Sequence, residues 1–390
     1  MIIPRLAIRN ILGAGMRTWL NVLVLSLAFV AIIWTQGLYV GMGEQITHAM
    51  VDAEIGGGQY WNEQYDPYDP LSLPDAHAVI PEPLQNMTDR GQATPILILQ
   101  GTIYPQGRFM PVLIKGIDPK QTILTLPSHF LDQKGVEFPA LIGNRMSQST
   151  GLKVGDSVTI RWRDANGTFD ARDIQIAQVM NTSVQTIDQG QVWLPLSLIQ
   201  GLSRMSNQAS LIVVDKGARD LPEVSGWNFK DLDYLLEDVR MVVRSKTVGA
   251  SILYAVLMAL AMLAIFDTQV LSIFRRKKEM GTLMALGFTR IKVIQLFTLE
   301  GALHGVLAAV VAAIYGIPLL VMFAKHGWTL PQAMDSYGFA IGEKLFPTYS
   351  AGLIFGTTVL VLITTTIVSF LPTRKIAKLK PTEALRGRTS

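Results

Sequence analysis

The sequence predicts a membrane protein with four transmembrane helices and a large α+β extracytoplasmic domain between helices 1 and 2. Its residues are 49% hydrophobic and the mean hydropathy is +0.32, which is high for a soluble protein. A helix needs about 20 apolar residues to cross a bilayer, and four runs reach that length: residues 20–40, 248–274, 293–323 and 349–371. Residues 41–246, by contrast, carry 17 Lys and Arg against 24 Asp and Glu. This long, charged stretch separates the first two spans.

The basic residues fix the expected orientation in the membrane. Outside residues 41–246, 15 of the 17 Lys and Arg gather in three short segments, residues 1–19, 275–292 and 372–390. Short cytoplasmic loops of membrane proteins are enriched in Lys and Arg, so all three segments, including both termini, are expected in the cytoplasm. Residues 41–246 and the shorter loop 324–348 are then outside. The formal charge of +4 therefore reflects topology, and nucleic-acid binding is not needed to explain it.

The N-terminal segment, residues 1–19, has apolar and basic residues at roughly helical spacing. This pattern predicts an amphipathic helix on the lipid surface. For residues 20–40 a cleavable signal peptide is the competing interpretation. Its apolar region would be shorter, however, and no A-x-A cleavage site follows Val40. We therefore expect an uncleaved first span.

The outer segment, residues 41–246, mixes strand and helix patterns, which is typical of an α+β domain. Residues 56–58 and 60–83 are Gly-, Pro- and Tyr-containing and are expected to form loops. The predicted strands are residues 96–100, 110–114, 157–162, 174–180, 192–194 and 211–214. The predicted helices are residues 140–150, 196–203 and 232–245, and the last is expected to continue without a break into the second span, as a rigid lever.

The middle cytoplasmic loop, residues 275–292, contains a short amphipathic helix. Met280, Leu283, Met284 and Phe288 recur at helical spacing and place one apolar face on a basic segment. Gly287 is placed to end the helix. An exposed apolar face needs a cover, which here is expected to be the membrane surface or a partner protein.

The same loop carries a family resemblance. The motif E-M-G-x-L-x-A-L-G, residues 279–287, follows basic residues and precedes Arg290 and then Glu300-Gly301. It resembles the motif of the FtsX/MacB/LolC-type permeases, the type VII ABC transporters. Further matches are L-x-x-G-D at residues 152–156, V-x-L-P at 192–195 and P-x-x-A-L-R at 381–386. Family members usually have Ile or Val at Met280, often a basic residue at Met284 and often Ala at Phe288.

The resemblance implies a fold, partners and a site. The outer domain is expected to be a MacB-like periplasmic core, and the protein to lie in the bacterial cytoplasmic membrane. The loop is expected to be the coupling helix that docks on a cytoplasmic ABC ATPase, which would bind the ATP. Its cargo is expected to be large and hydrophobic or a lipoprotein. Independently of the resemblance, four spans are too few for a generous solute channel, so a second permease copy or a paralogue is expected to complete a dimer. The expected ATPase-coupling residues are Glu279, Met280, Gly281, Leu283, Met284, Ala285, Leu286, Gly287, Phe288 and Arg290.

Motifs for chemistry are absent from the sequence. It contains no G-x-x-x-x-G-K-[ST], no G-x-S-x-G and no H-E-x-x-H. It has no cysteine, and its five histidines show no ligand spacing, so we expect no cofactor, metal or catalytic residue in this chain. Asp267 and Glu300, with His304, are the ionisable residues well inside the spans. Both acids are expected to pair with basic residues near the inner surface; a proton relay is the alternative.

Three functions compete. The leading one is a permease subunit that transmits ATP hydrolysis to its outer domain, in lipoprotein release of the LolC/LolE kind or in MacB-like efflux. The second is an FtsX-like regulator of cell-wall hydrolases. The third, from another class, is a membrane-anchored extracytoplasmic enzyme or sensor. Its support would be clustered acids, and residues 52–75 do contain several, which are expected to be a solvated surface.

Overall fold

A computed structural model describes residues 2–13, 15–133, 135–182, 184–329 and 344–374. The helices are α1 Ile2–Gly13, α2 Met16–Met50, α3 Glu82–Asp89, α4 Asn144–Thr150, α5 Gln185–Gly190, α6 Leu196–Leu202, α7 Leu232–Leu235, α8 Glu237–Arg275, α9 Lys277–Ala285, α10 Arg290–His326 and α11 Ala351–Thr373. The strands are β1 Gly58–Asn62, β2 Ala78–Val79, β3 Ala93–Ile103, β4 Met110–Ile117, β5 Pro139–Gly143, β6 Ser157–Arg163, β7 Phe169–Met180, β8 Gln191–Pro195, β9 Gln208–Ala209, β10 Leu211–Val214, β11 Trp227–Lys230, β12 Trp328–Thr329 and β13 Lys344–Leu345.

The chain divides into two compact units. The membrane unit comprises Met1–Met42, Val242–Thr329 and the chain from Lys344 onward, and the described part of the outer unit is Gly43–Met241. Four helices, α2, α8, α10 and α11, are long and apolar enough to cross a membrane. The predicted fold class, four membrane helices with a large α/β domain between the first two, is confirmed.

The core of the membrane unit lies where these helices face one another. Phe29 of α2, Ile265 of α8 and Ala308 of α10 belong to one buried cluster together with Val361 of α11. The opposite faces of the same helices expose large apolar side chains. That distribution is expected of helices whose outer faces contact lipid.

The outer unit is built on a mixed nine-stranded sheet in the order β11-β1-β10-β3-β4-β8-β5-β7-β6, in which β3 also pairs with β6. Successive residues of a strand point to opposite faces. In β3, Leu97 and Leu99 therefore enter one buried cluster, while Ile96 and Ile98 enter another. Burial on both faces explains why this strand is almost continuously apolar. All six predicted strands are present, five of them within longer strands and the sixth, residues 211–214, with the bounds of β10.

Residues 140–150, predicted as one helix, form two elements. Strand β5 occupies Pro139–Gly143, and helix α4 follows at Asn144–Thr150. All five residues of β5 are buried, and the strand pairs with β7 and β8. A short apolar run with no alternation does not distinguish a buried strand from a buried helix, and this is why the prediction was wrong over the first four residues.

The residues predicted as loops, 56–58 and 60–83, contain all of the buried strand β1 except Gln59. The strand pairs with β10 on one side and β11 on the other, and Tyr60 is 1% exposed. The glycines before it are needed for close approach, because a Cβ on Gly57 would lie 2.5 Å from the carbonyl oxygen of Asp215. Here Gly marks tight packing of backbone against backbone.

The continuous helix predicted from residue 232 into the second span is interrupted. The turn α7 ends at Leu235, Leu236 leaves the helical region with φ −98° and ψ 0°, and α8 begins at Glu237. Asp231 caps the first turn by accepting a hydrogen bond from the backbone N–H of Tyr234. Two acids, Glu237 and Asp238, stabilise a new N-terminus, so one helix was predicted where the structure has two.

The N-terminal segment is likewise divided differently from the prediction. α1 ends at Gly13, Gly15 has a φ of +71°, and α2 begins at Met16. Most of the basic tail 372–390, including the P-x-x-A-L-R match, lies outside the described residues, as does most of the outer loop 324–348.

Candidate coupling site

The middle loop, residues 275–292, forms helix α9 between two sharp turns. Arg276, with φ −97° and ψ 20°, separates α9 from α8. Gly287, predicted to end the helix, has a φ of +92°, which a glycine adopts without strain. Thr289 then caps α10 by accepting a hydrogen bond from the backbone N–H of Lys292. These turns hold α9 at the ends of α8 and α10.

The apolar stripe of α9 is covered by the chain itself. Met280 is 0% exposed and forms a buried cluster with Ile273 of α8 and with Val293 and Phe297 of α10. The other three stripe residues pack partly buried on the same cluster: Leu283, Met284 and Phe288. The expectation that the stripe needs the membrane surface or a partner as its cover is therefore wrong. The helical spacing was correct, but it marked the inner face of α9.

The opposite side of the loop carries the exposed residues, of which Glu279, Ala285, Leu286, Gly287 and Arg290 were predicted as coupling residues. Leu286 is 75% exposed and Ile291 is 67% exposed. Exposed beside them are Lys278, Glu279, Thr282, Ala285, Gly287, Arg290 and Lys292. Gly281 is buried. We call the set Lys278, Thr282, Ala285, Leu286, Arg290 and Ile291 the outer face of the loop. It is a small apolar surface with basic residues at its rim, suited to a partner surface with acidic groups.

Glu300 joins three helices beneath this loop. Its carboxylate accepts a hydrogen bond from Asn10 Nδ2 of α1 at 2.6 Å and forms an ion pair with Arg276 Nη1 at 2.8 Å. Arg276 also binds Glu279 of α9 at 2.6 Å, and its guanidinium lies 4.9 Å from the ring centroid of Phe297. The predicted pairing of Glu300 with a basic residue is confirmed.

Asp267, the second predicted intramembrane acid, is in a different environment. It is exposed on α8 and has no hydrogen bond or ion pair among the residues that the structure describes. The expectation that it pairs with Arg275, Arg276 or Lys292 is not met. The two acids therefore do not form one site.

A further polar cluster lies beside Gly301, the residue that follows Glu300, and sequence reasoning missed it. Gln269 of α8 and Ser369 of α11 are buried and meet beside Gly301 of α10, where a Cβ would lie 2.1 Å from Ser369 Oγ. Gln269 Oε1 and Ser369 Oγ have no hydrogen-bond partner in the described part of the chain. The Gly301 position was in the family motif, but its partners come from spans that lie far away in sequence.

The outer unit contains a groove of about 1480 Å³ on one face of its sheet. Lys115 and Glu54 both line the groove. Lys115 Nζ lies 2.7 Å from Glu54 Oε1, and the two side chains are 6% and 21% exposed, respectively. Thr186 and Gln191 also donate to the Glu54 carboxylate, each at 3.3 Å. Burial by itself raises the pKa of Glu54, but the Lys115 ammonium and these hydrogen bonds outweigh it and hold the pKa below its usual value. Glu54 had been assigned to a solvated acidic surface, and that assignment is wrong.

Apolar side chains stand exposed around the groove. Leu71 is 84% exposed, Phe109 69% and Phe169 62%, and all three line it. Exposed apolar groups gathered around a concavity are typical of binding surfaces. Across the described residues no group of three His, Asp or Glu side chains is placed to hold a metal ion.

The fold and this loop define a multi-pass membrane protein with four membrane helices, a large α/β domain between the first two and the short helix α9 between the second and the third. Residues 251–381 match the family model of the FtsX-like permease C-terminal region. The resemblance to the FtsX/MacB/LolC-type ABC transporter permeases seen in the sequence is confirmed by this match.

Curated relatives support the same family. An uncharacterized ABC transporter permease of Methanocaldococcus jannaschii is 24% identical over 60% of this chain and 58% of its own length. The lipoprotein-releasing system transmembrane protein LolC of Xylella fastidiosa is 24% identical over 77% of this chain and 79% of its own length. The macrolide export ATP-binding/permease protein MacB of Wolinella succinogenes is 22% identical over 63% of this chain and 34% of its own length. The chain thus matches little more than half of the archaeal permease.

Proposed function

We propose that this chain is the membrane subunit through which a separate cytoplasmic ATPase moves an outer domain. The observation that carries the proposal is the outer face of the loop, where Leu286 and Ile291 are exposed among basic residues. Apolar groups with a charged rim are the usual anatomy of a protein interface. ATP would bind in the partner, because this sequence has no Walker A motif.

The orientation that the proposal requires follows from charge. The loop 275–292 carries six Lys and Arg, and the positive-inside rule places it, with both termini, in the cytoplasm. The outer unit with its groove would then lie on the far side of the bacterial cytoplasmic membrane. A docking loop on one side and a cargo-handling domain on the other is what transmission of ATP hydrolysis needs.

A second permease copy is the proposed partner within the membrane. On α8 the positions Gly249, Leu253, Val256, Leu260, Leu263, Asp267, Val270 and Phe274 alternate at spacings of four and three residues. That heptad spacing is typical of paired helices, and all eight positions are exposed or half-buried in the single chain. Asp267 lies on this stripe, and a carboxylate facing lipid costs about 2.5–3.5 kcal/mol on insertion scales. A second copy covering the stripe would remove Asp267 from lipid.

The proposed cargo is a lipoprotein or another large hydrophobic molecule handled at the outer face. Support comes from the groove, with its exposed Leu71, Phe109 and Phe169. The similarity to a lipoprotein-releasing protein and to a macrolide exporter is consistent with cargo of this chemical class.

The docking proposal is tested by charging the outer face. The tagged full chain is purified from membranes of its native cells, and co-purifying ATP hydrolysis is measured, with mass spectrometry for peptides of an ABC ATPase. Leu286→Glu should reduce both at least about tenfold, because an unpaired carboxylate in an interface costs more than 1.4 kcal/mol. Thr298→Val is the control, since Thr298 lies on α10 and faces Thr373 of α11.

A substitution in the buried apolar stripe of α9 distinguishes a loss of docking from a loss of folding. Leu283→Glu places a charge against the cluster of Met280 and Phe297, so it should also loosen α9 and lower the thermal midpoint. Leu286→Glu should leave the midpoint unchanged, because this side chain is exposed. Wild-type recovery of the ATPase with Leu286→Glu would contradict docking through this face.

A further inference from the structure

Three separate elements meet at the carboxylate of Glu300. Asn10 on α1 donates to one oxygen at 2.6 Å, and Arg276 pairs with the other at 2.8 Å. Glu300 itself lies on α10. Asn10 and Arg276 are more than 250 positions apart in the sequence, so this junction ties the start of the chain to its middle loop.

Breaking this junction has a high free-energy cost because its charged groups are largely buried. The Glu300 side chain is 7% exposed and the Arg276 side chain 24%. Removing one partner of a buried ion pair leaves the other charge uncompensated, which is strongly destabilising, and an ionisable group within a membrane span is costly unless it is paired. Glu300 therefore keeps its partners as long as α1, α10 and the loop stay together.

Arg276 stands at the only break between α8 and α9, where its backbone leaves the helical region. From this hinge position its guanidinium reaches Glu300 with one nitrogen and Glu279 of α9 with another. Arginine can bind two carboxylates at once because its donors form a rigid planar fork. The side chain at the hinge thus fixes the direction in which α9 leaves α8.

The helix α1 supplies the other half of the junction. Ala7 is 0% exposed and Ile11 5%, and α1 packs along α10. Asn10 lies between them in sequence and directs its amide to Glu300. α1 is therefore a packed structural element, beyond the lipid-surface helix that its amphipathic pattern predicts.

We propose that Asn10, Glu300 and Arg276 form a latch through which α1 and α10 hold the coupling helix α9 in position. The functional meaning of the latch rests on the proposed function: a push on the outer face of the loop then moves α9, α1 and α10 together and is not absorbed at the hinge. Asn10 and Glu300 are positioning residues, since they act on α9 through Arg276.

The test measures opening of α9 directly and needs no ATPase. The chain has no cysteine, so Met280→Cys introduces a single thiol beneath α9, at a position that is 0% exposed. In the full chain in lipid nanodiscs, its rate of reaction with a maleimide reports how often α9 lifts. Adding Asn10→Leu or Glu300→Leu should accelerate labelling about tenfold or more, as expected when a charged hydrogen bond is lost and local opening becomes easier.

The double variant distinguishes a latch from two independent structural contributions, because only the latch predicts that the accelerations of labelling by Asn10→Leu and Glu300→Leu do not add. If Asn10 acts through the carboxylate, Asn10→Leu should add no acceleration to the Glu300→Leu background. Arg276→Lys keeps the charge but lacks the fork, so its effect should lie between wild type and Glu300→Leu. If Glu300→Leu does not fold, Glu300→Gln is used: glutamine loses the ion pair with Arg276 but still accepts from Asn10, so this variant should accelerate labelling by itself and Asn10→Leu should accelerate it further. An unchanged rate with Glu300→Gln would then overturn the latch.

Two controls complete the test. Thr357→Val removes a different buried hydrogen bond of the membrane unit, to Gln36 at 2.8 Å, and should leave labelling of Met280→Cys unchanged. Thr282→Cys is exposed and should react at one rate in every background. An unchanged rate with Asn10→Leu, or an acceleration simply added to that of Glu300→Leu, would overturn the latch. Either result would leave the docking test with Leu286→Glu unaffected, so the two proposals fail separately.

Discussion

Gly37 of α2 lies directly against the ring of Tyr349, and a Cβ atom at Gly37 would stand 2.2 Å from Tyr349 Cε1. The backbone N–H of Thr348 donates to the carbonyl oxygen of Gly37 at 2.9 Å. One turn further on, a Cβ on Gly41 would lie 2.1 Å from the carbonyl oxygen of Phe346. Because these two residues have no side chain, the segment that leads into α11 can pack directly against the backbone of α2.

Gly37→Ala should destabilise the membrane unit. The added methyl group must displace the Tyr349 ring from a packed position, which costs about 1–3 kcal/mol for overpacking. The measurement is the thermal midpoint of the full chain in nanodiscs.

The matched control is Gly356→Ala, also in a membrane helix. A Cβ at Gly356 meets nothing within 4 Å, so alanine there should leave the midpoint unchanged or raise it slightly through its better helix propensity. Equal midpoints for the two variants would show that the segment before α11 is not tightly packed against α2.

The topology can be mapped with single cysteines, because the chain has none of its own. Leu71→Cys, at a position 84% exposed in the outer unit, should react with an impermeant maleimide added to intact cells. Thr282→Cys on α9 should react only after the membrane is opened. The reverse pattern would contradict the positive-inside assignment. Leu71 is a better position than Gly57, where a side chain would collide with the backbone of Asp215.

The sequence was sufficient for those features that depend on local composition. The four apolar runs, the basic middle loop and the helical spacing of Met280, Leu283, Met284 and Phe288 all correspond to elements of the structure. Which face of α9 is covered could not be predicted, because the cover comes from Ile273 and Phe297 on two other helices. Spacing shows that a face is apolar, and only the fold shows what lies on it.

Polar partners were harder still to predict. Glu54 and Lys115 lie in separate elements, and the composition around Glu54 suggested a solvated acidic loop. Asn10 gave no signal at all, since a lone Asn on a basic amphipathic helix suits a lipid surface equally well. Such pairs depend on tertiary placement, which local propensity does not encode.

Lys115→Met should strongly destabilise the outer unit at neutral pH. It leaves the carboxylate of Glu54, which is 21% exposed, without its cation, and breaking a buried pair costs about 3–5 kcal/mol. The control is Lys216→Met, because the pair of Lys216 with Asp52 is half-exposed on both sides; such surface pairs contribute about 0–1 kcal/mol. The free energy of unfolding of both variants is measured by chemical unfolding of the full chain, monitored by tryptophan fluorescence.

The same pair predicts the sign of a pH dependence. The folded pKa of Glu54 lies below its usual value of 4.5. Its stabilisation is therefore present above that value and is lost as the pH falls through the folded pKa. Lowering the pH through this range should shrink the difference between wild type and Lys115→Met, because protonated Glu54 no longer needs the ammonium. A difference that stays constant down to acid pH would show that Lys115 stabilises by packing against Trp193, 5.1 Å away.

The heptad stripe on α8 predicts a specific crosslink between two copies. Leu260, 60% exposed, lies on the stripe two helical turns before Asp267, and in a parallel pair of helices the same position of each copy meets its counterpart. Leu260→Cys should therefore form a crosslinked dimer in membranes with a short thiol-specific reagent. Ile252→Cys is equally accessible, at 68% exposed, but lies off the stripe and should stay monomeric.

The substitution Asp267→Leu distinguishes lipid from a second copy of the chain as the cover of the stripe. If lipid covers the stripe, leucine stabilises the single chain and neither cysteine crosslinks selectively. If a second copy covers it, Leu260→Cys crosslinks in preference to Ile252→Cys whichever residue stands at 267, because the seven apolar or glycine positions of the stripe still pair.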